Sequence, residues 1–388
     1  MDASLARLPI IDVDTHWTEP PDLWTARAPA RLRARVPRVE RDAAGCERWV
    51  VERDLVLGPV GYCVIRPDGS KATGRVSLDT FAEVHPGASQ AEPRLRFMDS
   101  HGLVLQILYP NILGFAGNFV MRIEDAALRN LCVTAYNDGA AELQAGSGGR
   151  LLPQALLPFW DVALSVRELV RCHETLGLTG LVLTDAPELW GLPSLSEPYW
   201  DPLFAAAQER GLPINFHIGG GSIGGAPWAG MSPARAIATM SSLAFLGNVR
   251  CVANLVFSGV LDRYPSLKFV SVESGMGWLP FLLELCEYQV DENGVTDLAL
   301  RPREYFRRQI YASYWFEKDA ATAVAKLGED NLMFETDFPH PTCLYPDIRG
   351  QVQETLGGLP ARVQRKILFE TAARVYQLRL PGSSVPAS

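Results

Sequence analysis

The chain has 388 residues, 47% apolar and 21% charged, which is enough to bury a large core without disulfide support. A formal net charge of −8 argues against nucleic acid or an anionic membrane as partner and leaves a small-molecule substrate open. Seven scattered cysteines with no Cys-x-x-Cys pair exclude a disulfide framework or zinc knuckle and point to a reducing, cytoplasmic setting. The N-terminal MDASLARLPI lacks the apolar stretch of a signal peptide, and no uninterrupted apolar run has membrane-spanning length.

Short apolar runs recur along the chain. They fall at 9–14 (PIIDVD), 103–109 (LVLQILY), 151–157 (LLPQALL) and 180–184 (GLVLT), then at 213–217 (PINFH), 268–273 (KFVSVE), 309–314 (QIYASY) and 331–336 (NLMFET). They are near-continuous rather than alternating, as expected of parallel strands covered on both faces. Segment 37–91 breaks the repeat. Its runs around Trp49 and Tyr62 and its turn at 67–70 predict a hairpin-bearing insertion after the first strand, on the face where that strand ends.

The spacers carry helical periodicity. Segment 162–176 ends before Gly177, 199–210 stops at Gly211, and 233–246 stops at Gly247. Segments 279–290 and 318–327 repeat the pattern, 360–378 forms a last helix, and 381–388 (PGSSVPAS) reads as a disordered tail. Eight strands alternating with helices predict an α/β fold: a single (β/α)8 TIM barrel over 1–380. No Gly-x-Gly-x-x-Gly follows a strand, and Gly219-Gly220-Gly221-Ser222 lacks the lysine of a phosphate loop.

In such a barrel the C-terminal strand ends converge on one mouth. Asp14 and His16 end the first strand, His217 the fifth, Glu273 the sixth and Asp337 the eighth. Alternate residues of a strand face the same way, so Asp14 and His16 can reach one ion. Two imidazoles with two or three carboxylates suit a divalent cation of the zinc or manganese type. Asp12, deeper on the same face, reads as support for these groups. His101, before the second strand, His173, within a helix, and His85, in the insertion, read as structural or surface residues. His340, just beyond the eighth strand, is a candidate for contacting substrate, with Trp17, Trp278 and Arg235. Arg263 is a further possible carboxylate anchor. Trp49, Tyr62, Phe81, Trp228 and Tyr345 supply more aromatics for a partly apolar pocket.

The blocks Asp12-Val13-Asp14-Thr15-His16, the His217 strand end, Glu273-Ser274-Gly275-Met276-Gly277-Trp278 and Thr336-Asp337-Phe338-Pro339-His340-Pro341 resemble the amidohydrolase superfamily. More closely, they resemble its amidohydrolase-related branch around aminocarboxymuconate semialdehyde decarboxylase, over about residues 9–377. The resemblance implies one divalent metal, zinc first and manganese as alternative, held by Asp14, His16, His217 and Asp337. It also implies a homodimer. The familiar His-x-His is here Asp14-x-His16, and harder ligands make manganese more competitive. Glu273 stands where the decarboxylase has a catalytic histidine. The fourth strand ends Val182-Leu183-Thr184-Asp185 with no lysine to bridge a second ion, which favours one metal.

The implied chemistry is non-oxidative decarboxylation of an aromatic or unsaturated cyclic acid, with Glu273 or Asp337 moving the proton. The same residues equally serve hydrolysis of an amide, ester or lactone, with Asp337 accepting a proton from water. A metal-free binding or scaffold barrel is the third possibility, against which the complete ligand set speaks.

Overall fold

A computed structural model describes residues 5–221 and 227–378. Ser222 of the glycine run and the tail 381–388 lie outside the described residues. The strands are β1 (Ile10–His16), β2 (Arg38–Arg41), β3 (Glu47–Val51), β4 (Leu55–Pro59), β5 (Leu103–Tyr109) and β6 (Leu151–Pro153). They continue with β7 (Leu181–Val182), β8 (Ile214–His217), β9 (Phe269–Val272), β10 (Ile310–Tyr314) and β11 (Leu332–Phe334).

Eight of them form one parallel sheet in the order β6-β5-β1-β11-β10-β9-β8-β7. A parallel bridge between Ala155 and Leu181 joins β6 to β7 and closes the barrel. There the Ala155 N–H donates to the Gly180 carbonyl and the Val182 N–H to the Ala155 carbonyl. All eight apolar runs of the sequence became barrel strands, and in each of the eight every residue but one at most is buried. Burial on both faces is the physical reason such runs lack alternation.

The insertion is larger than a hairpin. Strands β2, β3 and β4 form a three-stranded antiparallel sheet. Trp49 of β3 packs edge-on against Trp24 and Phe81, and its ring is fully buried. Neither Trp49 nor Phe81 therefore belongs to the barrel mouth. The long helix Ala126–Gly146, 21 residues, also escaped the periodicity.

Gly247 does not end a helix. The chain runs Pro233–Leu243, turns through Ala244 and Phe245, and continues as Leu246–Phe257. Gly247 stays helical and buried, while the Asn248 amide donates to Phe216 O, Ser271 Oγ and Val272 O. Those tertiary bonds override a local stop signal. The second helix adds Cys251, Val252, Leu255 and Val256 to the core, whereas the first buries none of its residues. By length and composition the run Pro233–Phe257, with a mean hydropathy of 1.3 over its best window, would suit a bilayer, against expectation; only 22% of that window is buried.

Candidate metal centre

Strand β1 carries Asp12, Asp14 and His16 on its barrel-facing side, all fully buried. Asp12 is bound on every side. It accepts from Thr336 N at 2.9 Å, Thr336 Oγ1 at 2.7 Å and Gln106 Nε2 at 3.0 Å, so it stitches β1 to the end of β11 and to β5. Desolvation outweighs these bonds and pushes its carboxyl up to about 7. The supporting role expected of Asp12 fits this geometry.

Asp14 is different: neither of its oxygens has a hydrogen-bond partner, although both are buried. Its Oδ1 lies 3.6 Å from His16 Nε2 and 3.5 Å from His217 Nε2. His217 Nδ1 lies 2.8 Å from the Ile218 carbonyl, so Nδ1 carries the proton and Nε2 turns a lone pair to the centre. That Nε2 is 3.2 Å from His16 Nε2 and 3.3 Å from Glu273 Oε2, which also lacks a donor. His16 Nε2 lies 3.5 Å from Asp337 Oδ1.

Ligating atoms of Asp14, His16, His217 and Glu273 fall within 4.8 Å of one another, as do those of His16, Glu273, Asp337 and His340. Burial, then repulsion from Asp337, raises the Asp14 and Glu273 carboxyls well above the usual range. Burial lowers His16 well below its ordinary value and His217 to about 4. Neutral imidazoles facing crowded, donor-less carboxylates describe a hole for a cation. The donor set fits a divalent ion.

Glu273 and Asp337 each follow a strand end with φ of 53° and 59°. The left-handed conformation costs a non-glycine residue roughly 1–2 kcal/mol, and it persists here because the surroundings hold it. Glu335 Oε2 accepts the Glu273 N–H at 3.1 Å, and the Asp337 N–H donates to the Asp14 carbonyl at 2.9 Å.

His340 stacks on His16 with ring centroids 3.5 Å apart. Its Nε2 is 2.8 Å from Asn111 Oδ1 and its Nδ1 is 3.0 Å from Asp337 Oδ1. The Asn111 amide nitrogen donates to Trp17 O, which fixes Oδ1 as the acceptor and puts a proton on His340 Nε2. His340 Nδ1 then faces Asp337 Oδ1 at 3.0 Å, an oxygen that has no hydrogen-bond donor. Thr342 Oγ1 donates to Asp337 Oδ2 at 2.7 Å.

The barrel thus brings together Asp14, His16, His217, Glu273, Asp337 and His340. Trp278 lines the cavity above them, which holds about 530 Å³. Two expected substrate contacts are corrected. Trp17 points outward, because the residue after His16 faces the opposite side of the strand. Its ring packs on Tyr136 and its N–H donates to Ser89 O. Arg235 is exposed in the first turn of Pro233–Leu243 and does not line the cavity.

Arg263 pairs with Asp201, and Asp185 with Arg250, so neither anchors substrate nor bridges ions. Trp228 is 85% exposed and Tyr345 packs on Phe97 and Phe338; of the insertion's aromatics, Tyr62 faces His340 edge-on. His85 caps a short turn through Gly87 N, His101 ends a helix before β5, and His173 lies partly exposed in Val162–Glu174.

Sequence reasoning missed Asn111, Glu19, Arg94, Phe115 and Glu335. The strand-end rule would have reached Asn111, two residues past β5, and Glu335, just past β11. Arg94 had no signal. It is buried in the helix Ala91–His101, donates to Gln106 Oε1, Gly87 O, His16 O and Phe338 O, and stacks on the Phe338 ring.

The amidohydrolase family model matches residues 11–378. A gamma-resorcylate decarboxylase of Polaromonas sp. (strain JS666) is 26% identical over 272 residues, covering 63% of this chain and 76% of that protein. An amidohydrolase of Mycobacterium avium subsp. paratuberculosis has a similar structure, with TM-score 0.71, 21% identity and coverage of 95% and 99%. A dihydroxybenzoic acid decarboxylase of Polaromonas sp., solved with manganese and 2-nitroresorcinol, superposes with TM-score 0.59 at 18% identity, covering 95% and 97%. With a family match over nearly its whole length and the barrel and strand-end cluster to go with it, this chain belongs to the amidohydrolase family.

Proposed function

We propose that this enzyme is a metal-dependent, non-oxidative decarboxylase of an aromatic carboxylic acid. The observation that carries this reading is the buried cluster of two histidines and three carboxylates beneath an apolar cavity, with His340 Nδ1 3.0 Å from Asp337 Oδ1 beside it. The 26% identity to gamma-resorcylate decarboxylases supports it.

Asp14, His16, His217 and Asp337 would hold the ion, with Glu273 as a fifth donor. When bound, a divalent ion supplies Lewis-acid charge that neutralises a substrate carboxylate and an adjacent oxygen. We propose manganese ahead of the zinc first expected, because a third carboxylate hardens the set. The manganese-bound relative agrees with that choice.

The residues of the chain then divide the work. Phe115, Trp278 and Trp315 give the cavity apolar walls against which an aromatic ring packs. His340, beside Asp337, would deliver a proton to the ring carbon as the bond to the carboxylate breaks; the electron pair of that bond takes up the proton and carbon dioxide leaves. Asn111 Oδ1, 2.8 Å from His340 Nε2, fixes the orientation of that ring. Glu273 Oε2, facing His217 Nε2 without a donor, is assigned to the ion rather than to proton transfer.

Incubation of the manganese-loaded enzyme with hydroxybenzoic acids in deuterated water tests the proposal. Release of carbon dioxide with one deuteron at the vacated carbon is expected. Uptake of labelled solvent oxygen from an ester, amide or lactone, with no carbon dioxide from any acid, would favour the hydrolase instead. The same proposal includes a homodimer, supported by the helix Pro233–Leu243 that buries nothing and by exposed Phe281 and Phe316. It also includes a cytoplasmic setting, supported by seven free cysteines.

A further inference from the structure

The cavity above the metal centre is unevenly furnished. Phe115, Met240, Phe245, Trp278, Trp315 and Phe316 give it apolar walls, and no lysine, arginine or histidine lines it among the described residues. The undescribed residues 222–226 are Ser, Ile, Gly, Gly and Ala, so they bring no cation either. The charged groups in the lining are Glu273, which belongs to the metal centre, and Glu317.

Glu317 is held as an acceptor on both oxygens. Its Oε1 takes the Met276 N–H at 2.5 Å and the Gly277 N–H at 3.2 Å; its Oε2 takes the Trp315 N–H at 2.8 Å. No cationic side chain forms an ion pair with it among the described residues, Lys318 pairing with Glu354 instead, and on the side of this cavity backbone amides offset its charge. A carboxylate that accepts at three amides is fixed in place as well as charged.

A second acid group on the substrate ring would enter this lining without a counter-ion and meet a fixed like charge. Its desolvation would go uncompensated, whereas an apolar or hydrogen-bond-donating substituent suffers neither penalty. We infer that the site takes aromatic acids with one carboxylate and that Glu317 is the specificity residue that rejects a second.

This rests on the decarboxylase reading, and a ligand series on the intact manganese-loaded enzyme separates the two. The probes are 2-hydroxybenzoate, its 5-carboxylate derivative and its 5-carboxamide derivative, the last matching the diacid in size without its charge. Binding is measured by calorimetry and turnover by carbon dioxide release. The diacid should bind about 100-fold more weakly than the monoacid, while the amide stays within about 5-fold of it. In Glu317→Gln, the diacid-to-monoacid ratio should shrink by about 10-fold with the amide-to-monoacid ratio unchanged.

Because Glu317 also organises three amides, Met240→Arg, in a helix that buries nothing, supplies a second variant; its added cation should shrink the same ratio. A diacid that binds the wild-type enzyme as well as the monoacid overturns the inference while leaving the decarboxylase intact. An amide rejected as strongly as the diacid assigns the effect to bulk and overturns it too. If none of the three binds or releases carbon dioxide, the decarboxylase reading falls and takes the inference with it.

Discussion

The two sides of the barrel mouth are built on opposite principles. The floor, made by β1, β5, β8, β9 and β11, is closed off from solvent: Asp12, Asp14, His16, Gln106 and Asp337 are all fully buried. The rim helix Pro233–Leu243 has no buried residue, and its Met240 faces an open cavity together with Trp278 and Phe316. The floor holds ionisable groups at short distances, positioned by the packing of the barrel and by bonds to a few of them such as Asp12. The rim only shapes space. A change in the floor should therefore cost metal or fold, and a change in the rim should cost selectivity.

His217→Ala tests the floor most severely. It removes a nitrogen that lies 3.2–3.5 Å from three other donors, and both bound metal and carbon dioxide release should fall by about 1000-fold or more. Full metal occupancy in that variant, read by elemental analysis, would contradict the ligand assignment.

Arg94→Met comes next. It strips donors from Gln106, Gly87, His16 and Phe338 in a buried site and should destabilise the chain by about 3–5 kcal/mol in urea unfolding. A loss below about 1 kcal/mol would mean that the floor tolerates an unsatisfied network.

Glu19 gives a pH signature. Burial pushes its carboxyl up to about 7, although Asn111 N and Ile112 N both donate to Oε1. The folded chain therefore holds this proton more tightly than the unfolded chain does. Its contribution to stability is fully present below the ordinary glutamate value and is lost as pH rises to about 7, a swing of about 3 kcal/mol. Glu19→Gln should flatten that slope by up to one proton, and an unchanged slope would assign the titration elsewhere.

Asn111→Leu should lower kcat about 10- to 100-fold with metal content unchanged, because it frees the His340 proton that Asn111 pins. Parallel loss of metal would make Asn111 a scaffold residue instead. At the rim, Met240→Ala should move stability by less than about 0.5 kcal/mol while changing KM for aromatic acids several-fold. A large stability loss there would erase the contrast between floor and rim.

Much of the floor was legible in the sequence because the strand-end rule converts position into direction. Asp14, His16, His217, Glu273 and Asp337 each sit at or just past a strand end, and the strands themselves announced their burial by lacking alternation. Trp17 failed by the same rule applied one residue late, since odd and even positions of β1 face opposite sides. Arg235 failed because a helix of apolar composition gave no sign of which face, if any, would be covered. The Gly247 stop failed because Asn248 finds three partners on β8 and β9, which no window of local sequence contains.

By itself the sequence determined the barrel and the ligating groups gathered at its mouth, because both follow from local periodicity and from the chemistry of residues at strand ends; the family was legible through the resemblance of four motif blocks. Tertiary structure alone decided which of them lack partners, that His340 lies between Asn111 and Asp337, and that Glu317 lines the cavity without a cation. Those properties depend on distances between β1, β9, β10 and β11 that closure of the barrel sets, and closure is a contact between residues far apart in the chain.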